Sequence, residues 1–193
     1  MSRVPPPWPP VEVETAHRHP DAPPPGTKFG PHYAHCFGCG DEVEHGLHLQ
    51  TEAGEGTAIH AQFTVTEAHQ GAPGLAHGGL LACAFDEALG VTVGQQLRRP
   101  AVTGRLETDF LAPVPVGSTL HIVGTLDGIA GRKVYASAEG RLDAPDGPLA
   151  LRARALFVIV DFRHFVEHGR AEDLRAVAEN PSLLRQSRFD INP

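Results

Sequence analysis

The stretch GAPGLAHGGLLACAFDEALG, Gly71 to Gly90, sets a glycine-rich loop against an apolar helix that carries two adjacent acids. Gly78 and Gly79 leave backbone N–H groups uncovered by any side chain. The first turn of a helix also holds N–H groups without intrahelical partners and a partial positive charge. Together these features suit an oxyanion. Helical spacing collects Leu80, Leu81, Ala84, Phe85, Ala88 and Leu89 on a bulky side. Gly79, Ala82, Cys83, Asp86 and Gly90 form a stripe of small residues that a second backbone or a thin ligand could approach closely. Glu87 lies about 100° round the helix from Asp86 and is expected to be solvated or structural. Eight residues at about 1.5 Å each separate Gly78 from Asp86 by about 12 Å. The two can then act on one carbonyl carbon only if they come from different subunits. Each feature also has a plainer reading: a loop-ending glycine pair, a satisfied helical aspartate, and His77 as a cap.

The flanking sequence is rich in strands. Residues 58–66 place Ile59, Ala61, Phe63 and Val65 on one face and His60, Gln62, Thr64 and Thr66 on the other. Further strands are expected at Leu106–Leu111, Leu120–Leu126, Val134–Leu142 and Leu149–Val160, with turns at PVPVG, GIAG and APDG. One helix within a run of strands is an α+β pattern. Neither strand–helix–strand repetition nor a glycine-rich phosphate motif supports a nucleotide-binding sheet.

The 193 residues are 41% hydrophobic and carry a net charge of −7, enough for one core and unfavourable for nucleic acid. Residues 1–31, with PPPWPP and DAPPPG, read as an extended N-terminal arm, either a disordered tail or an arm laid across a partner subunit. A domain is expected over 32–161, and short amphipathic helices in an extension over 162–193. No segment reads as a secretory signal or membrane span, so a cytoplasmic protein without membrane contact is expected.

PHYAHCFGCGDEVEHGLHL holds Cys36 and Cys39 at C-x-x-C spacing among His32, His35, His45 and His48. These could fill a zinc site, while a redox pair lacks the expected strand–helix–strand surroundings. The favoured reading is a tight turn with two reduced, packed thiols and no bound metal. Cys83 reads as a packing residue.

HQGAPGLAHGGLLACAFDEALG followed by TGRLETDFLAPVPVG resembles the hotdog-fold acyl-CoA thioesterases. The similarity is to the phenylacetate-pathway (PaaI-type) branch and its relatives in thioesterase superfamily member 4, over roughly Cys36 to Asp161. The resemblance implies a long central helix wrapped by an antiparallel sheet, active sites at a dimer interface, and a homodimer or dimer of dimers. It further implies hydrolysis of a small or medium acyl-CoA without a cofactor. Asp86 would serve as nucleophile or as base on water, with the Gly78 N–H, assisted by Gly79, holding the oxyanion. Thr103 falls near a threonine that orients water. Gln70 stands where other branches have an asparagine, His77 braces the loop, and CFGCG before Gly46 and Leu47 is read as a structural turn. Arg132 and Lys133, in GRK, would attract the phosphates of coenzyme A or form a solvated turn. No G-x-S-x-G elbow is present. A non-catalytic acyl-CoA-binding or regulatory hotdog protein is the alternative, and a metal-binding module built on the Cys/His cluster comes third.

Overall fold

The computed structural model describes residues 7–184. Its strands are β1 (Lys28–Phe29), β2 (Gln50–Ala53), β3 (Ile59–Thr64), β4 (Gln70–Ala72), β5 (Leu75–Ala76), β6 (Ala101–Phe110), β7 (Thr119–Ala130), β8 (Lys133–Leu142) and β9 (Leu149–Ile159). The central helix α1 (Gly78–Leu97) precedes β6, and two short helices, α2 (Arg163–His168) and α3 (Ala171–Glu179), follow β9. A seven-stranded antiparallel sheet runs β1-β2-β3-β7-β8-β9-β6, while β4 and β5 form a separate hairpin ahead of α1. The α+β reading and the central helix are as expected.

Alternation builds the core. Ile59, Ala61 and Phe63 of β3 are buried while His60, Gln62 and Thr64 are exposed. The inward residues of β7, β8 and β9 meet Leu81, Ala84, Phe85, Ala88, Leu89 and Val93 of α1. Phe85 is fully buried, and Gly140 makes room for it: a Cβ there would lie 2.7 Å from the Phe85 ring. Gly124 likewise clears space for Thr92, with a built Cβ only 2.6 Å from its Oγ1. Small residues in the sheet thus let the helix seat closely.

The described part of the proline-rich segment lies along the sheet of its own chain. The Trp8 indole donates to Asp127 Oδ2 at 2.8 Å and packs edge-on against Tyr135 at 5.4 Å. Glu14 bridges Ile129, and β1 extends the sheet. This explains why Tyr135, on the outer face of β8, is only 2% exposed. The other end of the described chain returns to the Cys-containing loop, where the Ala34 N–H bonds Leu183 O at 2.9 Å. Among the described residues no helix is long and apolar enough to cross a membrane.

Candidate active site

The loop before α1 is braced from within. His69 is buried, its Nδ1 accepts the Thr66 N–H, and its carbonyl accepts the His77 N–H at 2.8 Å. A Cβ on Gly71 would lie 2.7 Å from the His77 Cα, so only glycine lets the hairpin close there. His77 is the helix N-cap, and its Nδ1 accepts the Gly79 N–H at 3.0 Å. This contact braces the loop and occupies the N–H that Gly79 would otherwise offer. With its N–H engaged by the cap, Gly79 is not a free donor for an oxyanion. Gly78 makes no such bond among the described residues, and its N–H opens from the positive end of α1.

Gly78 also lines an open groove of about 320 Å³. Leu75, Gly78, Leu81, Phe110, Leu111 and Val114 contribute to its lining, and Asp86 does not. Phe110 and Leu111 are more than half exposed. They are large apolar residues on the sheet's unpaired edge.

Asp86 stands two turns further along α1, half-buried on the small-residue face. The Thr103 hydroxyl donates to its Oδ1 at 2.8 Å. This contact depends on a bulge in β6. Thr103 pairs with Phe157 and Arg105 with Leu156, leaving Gly104 as the extra residue. Without that insertion Thr103 and Leu106 would face opposite sides of the sheet. With it, Leu106 packs on the core while Thr103 reaches Asp86. Burial pushes the Asp86 carboxyl above the usual carboxylate range, Thr103 opposes this, and Glu87 adds to it.

Gln70 and the basic turn are placed differently. The Gln70 amide donates to Glu67 O at 3.1 Å and accepts the Gly74 N–H at 2.8 Å, so it holds its own hairpin together. Arg132 and Lys133 are exposed in the turn between β7 and β8. Lys133 and Val102 both pair with Val158, which puts the turn two strands, about 10 Å, from the start of β6. The basic turn therefore shares one end of the sheet with Thr103.

Of the two readings of Glu87, solvated or structural, its surroundings fit the second. Its side chain is 13% exposed and faces His32, Cys36 and Cys39. Burial pushes its carboxyl up, but contacts with His32, Cys39 and Cys36 outweigh this and hold it below the usual range. Cys36 and Glu87 raise the His32 imidazole to about 10, and Cys39 beside Cys36 lowers the latter's thiol to about 5. The sequence signal was present in the C-x-x-C and His32. That Glu87 completes the group follows only from the tertiary fold.

Residues 73–146, from the hairpin through β8, match the family model for the Thioesterase superfamily. The chain is 37% identical over 92 residues to the acyl-coenzyme A thioesterase THEM4 of Bos taurus, and 34% identical over 89 residues to that of Xenopus laevis. Those alignments take in 48% and 46% of this chain but 37% and 39% of the relatives, so the chain matches well under half of their length. Among solved structures, the thioesterase superfamily protein RHA08564 aligns with a TM-score of 0.58 and 28% identity, over 65% of this chain and 60% of its own. The PaaI protein of E. coli, from the phenylacetic acid degradation operon, shares the fold with a TM-score of 0.54 at 19% identity, over 60% of this chain and 81% of its own. Over residues 73–146, from the hairpin through β8, this chain is thus similar to the Thioesterase superfamily, and its central helix and surrounding sheet share the fold of the solved thioesterase superfamily protein.

Proposed function

We propose that this protein hydrolyses the thioester of a small or medium acyl-CoA in sites shared between two copies of the chain. The observation that carries this reading is the Thr103–Asp86 hydrogen bond on the half-buried small-residue face of α1. A threonine hydroxyl that donates to Asp86 Oδ1 keeps its lone pairs for a water proton. Water bound there lies against the second carboxylate oxygen. Asp86 removes a proton from that water, and the oxygen adds to the thioester carbon. The carbonyl oxygen, now negative, is held by the Gly78 N–H of the partner subunit. Collapse breaks the carbon–sulfur bond, the thiolate of coenzyme A takes up the proton, and the free acid remains.

Length favours two copies. Gly78 and Asp86 of one chain are separated by about two helical turns, about 12 Å, and the groove at Gly78 does not include Asp86. Antiparallel pairing of two α1 helices brings the N-terminus of each to the acid of the other and yields two equivalent sites. Arg132 and Lys133, near the Thr103 end of the sheet, are suited to the phosphates of coenzyme A. The three free cysteines agree with a reducing, cytoplasmic setting.

Release of thiol from a panel of acyl-CoAs tests the reaction. Steady turnover of at least one is expected, and tight binding without release would favour the non-catalytic alternative. Heterodimers of Asp86→Asn and Gly78→Val protomers test the shared site. A Cβ at Gly78 would lie in ordinary contact with the Phe110 ring at 3.5 Å, and the branch carbons of valine would add bulk beside the Gly78 N–H. Mixed dimers should regain up to one working site, whereas inactivity of demonstrated heterodimers would place both groups in one subunit.

A further inference from the structure

His32, Cys36, Cys39 and Glu87 offer ligand atoms that all lie within 4.8 Å of one another. His32 Nδ1 is 3.1 Å from Cys39 Sγ and 3.3 Å from Glu87 Oε1, and Cys36 Sγ is 3.5 Å from Glu87 Oε2. Zinc bonds of about 2.0–2.3 Å in a tetrahedron require ligand–ligand edges of about 3.3–3.8 Å. We propose that these four side chains form a structural zinc site that ties the loop before β2 to the central helix.

Several observations outside those distances point the same way. Glu87 Oε1 is buried and makes no hydrogen bond in good geometry, its one cationic neighbour among the described residues being the His32 imidazole 3.3 Å away. A buried carboxylate oxygen without a hydrogen-bond partner is costly unless a cation takes that place. The loop is shaped to bring its ligands inward. A Cβ on Gly38 would lie 2.5 Å from Glu87 Oε2, and one on Gly40 would lie 2.3 Å from Ala34 O. The glycines of CFGCG are therefore needed for closure. The His32 backbone N–H approaches Cys39 Sγ at 3.4 Å, the kind of outer contact that steadies a metal-bound thiolate. Two thiolates, an imidazole and a carboxylate form a borderline-soft set suited to zinc and poor for magnesium or calcium. Their three formal negative charges become one on binding a divalent ion. Four protein ligands close the coordination sphere, which gives a structural site, distinct from catalysis at Asp86. This reading replaces the expected metal-free turn of packed thiols.

The full chain, purified in reductant without added metal and assayed by elemental mass spectrometry, should carry about one zinc per chain. Replacement by Co²⁺ should give the strong visible bands of a tetrahedral site and a near-ultraviolet thiolate charge-transfer band. Cys36→Ser with Cys39→Ser should abolish both signals, and Glu87→Ala should weaken metal retention. Failure of folded wild-type protein to retain zinc after dialysis against it would overturn the proposal. So would a Cys36–Cys39 disulfide under these reducing conditions, or unchanged zinc content in the double serine variant. Should that variant not fold, the Co²⁺ spectrum of the wild type decides: bands without thiolate charge transfer would exclude the site.

Discussion

Asp86 and Glu87 are consecutive on α1, the first half-buried and the second 13% exposed, yet their surroundings drive their ionisation in opposite directions. Asp86 has one hydroxyl partner and a like charge beside it, so burial prevails and its carboxyl is raised. Glu87 meets an imidazole and two thiols that outweigh burial, and its carboxyl is lowered. Burial alone does not set the charge of a carboxylate. What the next turn of the helix faces decides between a group suited to proton transfer and one suited to holding the fold together.

The sharpest way to break this contrast is Asp86→Asn. Turnover should fall by about 10³-fold or more, equivalent to about 4 kcal/mol of barrier. Stability should not suffer. A carboxyl raised in the folded state contributes fully below its unfolded pKa and loses that contribution as pH rises through the folded value. At neutral pH the asparagine variant should therefore melt at the same temperature as wild type or higher. Wild-type turnover by the purified variant would remove Asp86 from the reaction.

Thr103→Val should lower kcat about 10- to 100-fold, the usual scale for losing one positioned proton-transfer partner. Its pH profile sharpens the contrast further. Activity that needs ionised Asp86 should rise with pH through a value above the ordinary carboxylate range. Loss of the Thr103 hydroxyl, which pulls that value down, should move the rise to higher pH. Thr103→Ser should restore it, and an unmoved profile in the valine variant would disconnect the pair.

Glu87→Gln should leave kcat within about tenfold of wild type but lower stability by at least about 1–2 kcal/mol, through loss of its anionic contact with His32 and of one ligand of the proposed zinc site. The pH dependence is opposite in sign to that of Asp86. The contribution of Glu87 is present above its unfolded pKa and lost as pH falls through its lower folded value. Thermal melts at neutral and acidic pH should therefore converge for the two proteins in acid. Arg132→Ala with Lys133→Ala should have the smallest effect. A few-fold rise in KM, shrinking with added salt and with kcat unchanged, is expected for exposed charges near a phosphate.

The same contrast shows what could be read before the structure. Gly78, His77 and the helix through Asp86 follow from local pattern, since caps, glycine pairs and helical spacing act over a few residues. Alternation located the core strands, because side-chain facing repeats every second residue. Thr103 was visible as a residue but not as a neighbour of Asp86, which depends on the unpaired Gly104 in β6. Glu87 was read on the helix alone, whereas its partners stand some fifty residues earlier. The folding of the arm onto its own sheet depends on Trp8 finding Asp127 and Tyr135, and proline content sets only the extended backbone.

That docked arm also gives the protein a built-in optical reporter. The sequence has one tryptophan, and it is held against Tyr135 and bonded to Asp127 in the arm, outside the cluster of residues that forms the core. Intrinsic indole emission will therefore follow release of the arm, while circular dichroism follows the helix and sheet. A red shift that precedes loss of ellipticity on heating would measure the undocking of residues 7–31 as a separate event.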